Sequence, residues 1–123
     1  GSDWPTPDGT CVRDYIHVED VVDAHLRVLN ALKQGEVRAY NLGIGRGISV
    51  REVIAAAERV TGLKLKTSAA PRRPGDPATL FADASLIERE LGWTPQVRDL
   101  ETMIDSAWQW FKAHPEGYGT PHG

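Results

Sequence analysis

The sequence has only one cysteine, Cys11, among its 123 residues. A single cysteine cannot form an internal disulfide, and this one has no ligand partners at metal-binding spacing, so we interpret it as a small strand residue. The chain also lacks an apolar run approaching the roughly 20 residues that span a bilayer, and it shows no charged-then-apolar leader. A cytoplasmic protein without a membrane partner is therefore expected.

Excess positive charge is absent as well. The 14 Lys and Arg residues are outnumbered by 17 Asp and Glu residues, which gives a net charge of -3. Binding to a nucleic-acid backbone requires a basic face, so no nucleic-acid partner is expected. Hydrophobic residues at 41% and charged residues at 25% are typical of a globular domain. We interpret residues 1–2 as an expression scar and residues 120–123 as a flexible tail.

The most informative stretch is Val12–His25, which reads VRDYIHVEDVVDAH. The β-branched and aromatic residues at 13–16 predict a strand, and the acidic pair Glu19 and Asp20 is typical of a helix start. The spacing of apolar residues predicts a helix over Glu19–Lys33. Its apolar arc covers about 220°, well beyond the roughly 100° of a surface helix, so we expect partners on two sides.

The same stretch contains residue types that ligate metals, but the helix separates them. Asp20 and Asp23 fall on the polar arc, which predicts a solvated acidic face, whereas His25 points the opposite way. The set cannot converge on one ion, so no metal site is expected. His25 lies inside the apolar arc and is expected to be a buried, hydrogen-bonded histidine rather than a catalytic one.

A second strand is predicted over Val37–Leu42, followed by a glycine-rich turn and a helix. The turn reads G-x-G-x-G over residues 43–47 rather than G-x-G-x-x-G. The spacing therefore favours a tight turn over a dinucleotide-binding fingerprint. In the helix that follows, Ser49 and Glu52 are expected to form a capping box, and Gly62 to end it.

The rest of the chain predicts a strand over Lys64–Ala69, a stiff loop over Pro71–Pro77, and two helices. Three prolines hold the loop extended, and it presents two arginines. Fixed guanidinium groups suit phosphate, but a solvated basic loop is an equally good interpretation. Asp83 is expected to cap a short helix through Leu91, and the last helix to run over Leu100–Ala113.

Several motifs then occur in the order found in one enzyme family. They are PTPDGT, RDYIHVED, YNLG with its glycines, RRPGD, LGW and a Trp-rich helix ending in HPEGYG, and they extend from about Asp3 to Gly119. Together they closely resemble UDP-glucose 4-epimerases, members of the extended short-chain dehydrogenase/reductase family. The resemblance implies an α/β fold for residues 3–119, with short strands and about four helices, as the C-terminal, UDP-sugar-binding portion of such an enzyme.

The resemblance also implies the binding residues. The arginine of RDYIHV contacts the diphosphate of the UDP-sugar in that family, which implies this role for Arg13, with Tyr15 close to the nucleotide. The second arginine of RRPGD contacts the diphosphate and its aspartate holds the ribose, which implies Arg73 and Asp76. Leu80 occupies a position that limits the space around the sugar, and its intermediate size leaves acceptance of N-acetylated sugars open.

The family's NAD site and its Tyr-x-x-x-Lys catalytic pair lie in an N-terminal dinucleotide-binding domain that is expected to be missing here. The tyrosines are Tyr15, Tyr40 and Tyr118, and no lysine stands four positions after any of them. We therefore assign no catalytic residue to this chain. NAD is expected in the full-length parent enzyme only, and the chain alone is expected to be inactive.

Alternatives remain for the function and for the partners. The parent enzyme could act on UDP-glucose and UDP-galactose in galactose metabolism, or on pentose or N-acetylhexosamine donors. The chain could also be a stand-alone nucleotide-sugar-binding or assembly module. Without the N-terminal domain, helix 18–33 and the edge of strand 37–42 are expected to be exposed, which predicts a homo-oligomer formed through either of them.

Overall fold

The computed structural model describes residues 1–118, and within them it contains four helices and three two-residue strands. In chain order these are β1 Val12–Arg13, α1 Val18–Ala31, β2 Ile48–Ser49, α2 Val50–Thr61, β3 Thr79–Leu80, α3 Ser85–Leu91 and α4 Leu100–Ala113. The predicted α/β class with about four helices is confirmed. The tail predicted over 120–123 lies outside the described residues.

Strand β1 is the centre of a small mixed sheet with the order β2-β1-β3. It pairs antiparallel with β2, so that Arg13 lies opposite Ile48. It pairs parallel with β3, so that Arg13 also lies opposite Leu80. This pairing brings residues far apart in the sequence to the two sides of Arg13.

Helix α2 begins and ends as the sequence predicts. The Ser49 hydroxyl accepts the Glu52 backbone N–H at 3.1 Å, and the Glu52 carboxylate accepts the Ser49 N–H at 2.7 Å, which completes the capping box. Gly62 ends the helix in the left-handed region with φ at 70°. Glycine adopts this conformation without a steric penalty, which is why it is favoured at a helix end.

Two small clusters of buried residues form the core. In the first, α2 packs against α4, and in the second, α1 packs against α3. The first cluster consists of Ile44, Ile48, Ala56 and Leu100, with Tyr15, Val53, Met103 and Ile104 packed against it. The second consists of Ala24, Ile87 and Trp93, with Ile16, Val28, Tyr40, Leu42, Ala84 and Leu91 around it.

The prediction that Asp20 belongs to a solvated acidic face is wrong, because Asp20 is only 3% exposed. Its carboxylate accepts the backbone N–H groups of Gln96 and Val97 at 2.8 and 3.0 Å. Its backbone carbonyl accepts the indole N–H of the buried Trp93 at 3.0 Å. Asp20 therefore anchors the turn after α3 to the first turn of α1, and a carboxylate is needed there because it accepts two donors at once.

The strands predicted over Val37–Leu42 and Lys64–Ala69 are also wrong, since neither segment is a strand in the described structure. Val37 is 96% exposed, and residues 64–69 are exposed throughout. A β-rich segment becomes a strand only when another strand supplies hydrogen-bond partners. The strand predicted over 13–16 likewise ends at Arg13, where its pairing ends.

Three details of the helices differ from expectation. His25 is exposed rather than buried, and its Nδ1 lies 2.7 Å from the Val21 carbonyl oxygen of the preceding turn. Helix α1 ends at Ala31 instead of Lys33. Helix α3 has Ala84 as its N-cap residue, while the Asp83 carboxylate accepts the Ser85 N–H at 2.9 Å. The predicted apolar arc of α1 is present, but the described residues leave much of it exposed.

No group of three or more His, Cys, Asp or Glu side chains in residues 1–118 is placed to hold a metal ion. None of the helices described has the length and hydropathy that a transmembrane segment requires.

We predict that Asp20→Ala lowers the free energy of unfolding by about 2 kcal/mol, because two shielded backbone N–H groups lose their acceptor. Urea denaturation of the purified chain measures this change. Asp23→Ala is the matched control: this residue lies on the same helix but pairs with Arg27 at the surface. Its loss should change stability by less than about 0.5 kcal/mol. Equal effects of the two substitutions would contradict the anchoring role of Asp20.

Candidate functional site

A cleft of about 400 Å³ opens beside the central strand. Its walls come from the end of β1, from Asn41, and from β3 with the residues that follow it. The lining residues are Arg13, Asp14, Asn41, Leu80, Phe81, Ala82 and Asp83. Of the sequence-predicted site residues, the structure therefore brings Arg13 and Leu80 together, as neighbours across the β1–β3 pairing.

Arg13 is half-buried, and its guanidinium is held close to the strand. The Nη1 group donates to the carbonyl oxygen of Val12 at 2.8 Å. Leu80 on the other side of the cleft is 59% exposed, so an apolar surface faces the solvent next to a cation. The cleft therefore presents a cation and an apolar surface side by side, which suits an anionic ligand that also has a less polar portion.

Asp14 holds the cleft together and was not identified as a site residue from the sequence. Its Oδ1 accepts the Ile44 N–H at 3.3 Å, and its Oδ2 accepts the Ala82 N–H at 3.0 Å. A side chain at Gly43 would collide with the Asp14 carboxylate and press on Ala82, so the chain approaches too closely for any residue but glycine. The Arg-Asp-Tyr triplet was the available signal, but the two N–H partners lie 30 and 68 residues away.

The second pair of predicted residues lies on the loop over 71–77, just before β3. The Arg73 Nε group lies 3.2 Å from the Asp76 Oδ2 atom, and the Asp76 N–H donates to the Arg73 carbonyl at 3.3 Å. The Arg73 side chain is 87% exposed, whereas that of Asp76 is 34% exposed. An exposed ion pair of this kind contributes little to stability, so the guanidinium is free to exchange its carboxylate for another anion.

Tyr15 occupies a different environment from Arg13. Its ring packs against the first core cluster rather than lining the cleft. Burial raises the pKa of the Tyr15 phenol, the neighbouring Cys11 raises it further, and Arg13 lowers it. A half-buried, neutral phenol can position a ligand by contact or donate a hydrogen bond.

The three glycines of the turn over residues 43–47 have different surroundings. At Gly43 a Cβ would meet the Asp14 carboxylate, and at Gly47 it would meet the Val12 and Phe81 side chains. Gly45 has φ at 79° and open space around it, as in a turn. Gly43 and Gly47 therefore serve close chain packing and Gly45 serves chain reversal, as expected of a tight turn.

The arrangement can bind an anion but shows no acid–base pair. Two guanidinium groups can form charge-assisted, bidentate hydrogen bonds to phosphate oxygens, and a carboxylate can accept hydrogen bonds from sugar hydroxyl groups. Because β3 begins three residues after Asp76, the loop leads directly into the wall of the cleft. The cleft and the loop are thus adjacent segments of the chain, although neither Arg73 nor Asp76 lines the cleft.

Comparisons with known proteins show which family this chain is similar to. The family model described as GDP-mannose 4,6 dehydratase matches residues 5–106. A probable UDP-arabinose 4-epimerase 3 of Oryza sativa subsp. japonica is 48% identical over 120 residues, which cover 98% of this chain and 30% of that protein. A UDP-glucose 4-epimerase of Halalkalibacterium halodurans is 48% identical, with 98% of this chain and 36% of that protein covered.

Solved structures give the same result. The structure of UDP-glucose 4-epimerase from Bifidobacterium longum in complex with NAD+ and UDP aligns with a TM-score of 0.87 at 45% identity. The alignment covers 96% of this chain and 35% of that one. The chain spans about a third of the length of its relatives, and the expected resemblance to UDP-glucose 4-epimerases and the α/β fold of their extended family are confirmed. This chain therefore belongs to the family described as GDP-mannose 4,6 dehydratase.

Proposed function

We propose that this chain recognises UDP-sugars as the C-terminal part of a UDP-glucose 4-epimerase. The observation that carries the proposal is the placement of Arg13 opposite Leu80, in a cleft whose wall continues into the loop of Arg73 and Asp76. A cationic edge and a carboxylate are thereby presented on neighbouring segments. The similarity to an enzyme whose crystals contain NAD+ and UDP supports the same ligand class.

Each residue then has a role that its environment permits. Arg13 and Arg73 neutralise the diphosphate, and Asp76 accepts hydrogen bonds from the ribose hydroxyl groups once the ligand replaces it as the partner of Arg73. Tyr15 supports the nucleotide from the side of the first core cluster. Leu80, exposed at the mouth of the cleft, limits the space available to the sugar.

The redox part of the reaction is assigned to the rest of the parent enzyme. NAD bound there supplies the hydride acceptor for interconversion of UDP-glucose and UDP-galactose in galactose metabolism. The described residues of this chain hold the substrate and add no acid–base pair of their own. We further propose that the remaining part of the parent enzyme, a dinucleotide-binding domain, covers the exposed face of α1.

A second substrate is favoured by a specific observation. A probable UDP-arabinose 4-epimerase 1 of Oryza sativa is 50% identical to this chain, and UDP-glucose 4-epimerases are equally similar. A pentose lacks the C6 hydroxymethyl group of a hexose and needs less space, and Leu80 is the residue that we propose limits this space. Comparing the affinities of UDP-galactose and UDP-arabinose for wild type and for Leu80→Ala discriminates between them.

We predict that Arg73→Ala weakens UDP binding about tenfold or more, since a charge-assisted hydrogen bond contributes roughly 1.5–3 kcal/mol. Titration calorimetry with UDP measures the difference. Arg59→Ala is the matched control, because Arg59 is also exposed and paired with a carboxylate but lies on α2. If the Arg73 and control variants bind UDP as tightly as wild type, the loop is only a solvated basic surface.

We predict that the purified chain neither retains NAD nor converts UDP-galactose. The physical reason is that its glycine turn lacks the G-x-G-x-x-G spacing and that no Tyr-x-x-x-Lys pair is available to move a proton. Nicotinamide absorbance and a coupled assay for UDP-glucose test this. Stoichiometric NAD, or turnover above a blank, would contradict the assignment.

We predict that the purified chain self-associates through α1. The strand edge expected at Val37–Leu42 does not form, but exposed apolar residues make one stripe along this helix: Val18, Val22, Leu26 and Leu29. An apolar groove of about 380 Å³ runs beside the stripe. Large uncovered apolar surfaces recruit other chains, and with two-thirds of a relative's length missing a second copy is the available partner.

Light scattering of the wild type, Val22→Glu and Leu29→Glu tests this association. The two variants should shift the chain towards monomer, whereas Leu63→Glu, an equally drastic change at an exposed residue after α2, should not. A wild-type monomer that unfolds cooperatively would show that α1 needs no partner.

A further inference from the structure

The two arginines of the Pro71–Pro77 loop have different surroundings although they are adjacent. The Arg73 side chain is 87% exposed and forms an ion pair with Asp76 of its own loop. The Arg72 side chain is 38% exposed and reaches across to the segment at the start of the chain. The resemblance assigned a ligand contact to Arg73 but no role to Arg72, and the surroundings of Arg72 are seen only in the tertiary structure.

Arg72 is held by two neighbouring residues. Its Nε group donates to the Asp3 Oδ1 atom at 2.8 Å, and its Nη2 group donates to the Asp3 carbonyl oxygen. Its guanidinium carbon lies 4.3 Å from the centre of the Trp4 ring. A planar guanidinium can stack on an indole and donate within its own plane at the same time, which a lysine ammonium cannot do.

The segment that receives Arg72 is itself ordered by hydrogen bonds. The Trp4 N–H donates to the Gly9 carbonyl at 2.9 Å, and the Thr6 N–H donates to the Trp4 carbonyl at 2.8 Å. The carboxylate of Asp8 accepts the Ser49 hydroxyl at the cap of α2. The turn over residues 3–10 is therefore a platform joined to the sheet and to α2, and the loop is fastened to that platform.

The direct consequence concerns Arg73. Three prolines already restrict the loop, so fastening one residue removes much of the motion that remains. A guanidinium that is held in place before the ligand arrives loses less entropy on binding. Arg72 has its donors directed at Asp3, which leaves Arg73 as the cation available to a ligand.

We propose that Arg72 is a positioning residue, latched to Asp3 and Trp4, that holds the Pro71–Pro77 loop in place and so presents Arg73. The effect of this latch on UDP binding rests on the proposed function. Its effect on the loop exists without any ligand. The hydrogen bond from Arg72 also lowers the pKa of the Asp3 carboxyl group.

The rate of cleavage by trypsin measures directly how readily Arg72 leaves Asp3 and Trp4. The enzyme must take the Arg72 side chain into its specificity pocket to cleave the Arg72–Arg73 bond, so Arg72 has to leave Asp3 and Trp4 first. The Arg73–Pro74 bond resists trypsin because proline follows it. Cleavage within the loop therefore measures release of Arg72, and substitutions at residues 3 and 4 leave the loop sequence unchanged.

Trp4→Leu should speed this cleavage by about two- to fivefold, the factor expected from losing one exposed cation–π contact. Trp4→Phe keeps an aromatic face and should restore most of the protection, while Asp3→Asn should speed cleavage without changing an apolar side chain. Glu101→Gln, which removes the carboxylate beside the exposed Arg59, is the control and should leave the rate unchanged. Equal cleavage rates in wild type, Trp4→Leu and Asp3→Asn would overturn the latch.

UDP titration of the same variants separates the latch from the proposed function. If the latch positions the loop, Trp4→Leu weakens UDP binding by about two- to fivefold, as it speeds cleavage, and Trp4→Phe restores binding. The midpoint of thermal unfolding of these variants stays unchanged. If Trp4→Leu is cleaved faster but the wild type does not bind UDP, the proposed function is wrong and the latch is supported. Weaker UDP binding with unchanged cleavage would show that Trp4 contacts the ligand itself, and the latch would be wrong.

Discussion

The pairing of β1 with both of its neighbours is the constraint on which the rest of the structure depends. Each strand has only two residues, so the sheet provides few hydrogen bonds of its own. Its importance is geometric, because it places β2 and β3 on opposite sides of Arg13. One side leads into α2 and the first core cluster, and the other forms the wall of the cleft.

Two carboxylates compensate for the shortness of the strands. Asp14 accepts N–H groups from the segments after residue 43 and after β3, and Asp20 accepts two N–H groups from the turn after α3. Backbone donors removed from water need acceptors, and a carboxylate can supply two where a sheet ladder is missing. The chain therefore uses acidic side chains where a larger sheet would use strands.

The small size of the sheet and core also explains why one face of α1 is exposed. One side of this helix packs through Ala24 against Ile87 and Trp93, while the stripe that begins at Val18 faces solvent. A helix with so wide an apolar arc fits between two layers, and this chain supplies only one. The absence of a strand at 37–42 has the same cause, because its side chains Tyr40 and Leu42 pack on the core while its backbone lacks a neighbouring strand.

The amino-acid sequence by itself determined the features that depend on residues close together in the chain. These include the capping box of Ser49, the glycine that ends α2 and the full extent of α4, because caps and helix periodicity involve residues within a turn or two of each other. The motifs RDYIHVED and RRPGD likewise indicated the family and the residues proposed for the site. Tertiary structure alone decided that Asp20 is buried, that Asp14 spans the cleft, that Val37–Leu42 is not a strand and that Arg72 is held by Asp3 and Trp4. In each of these cases the deciding partner lies far away in the sequence, or a needed partner is absent, and local patterns contain no information about either.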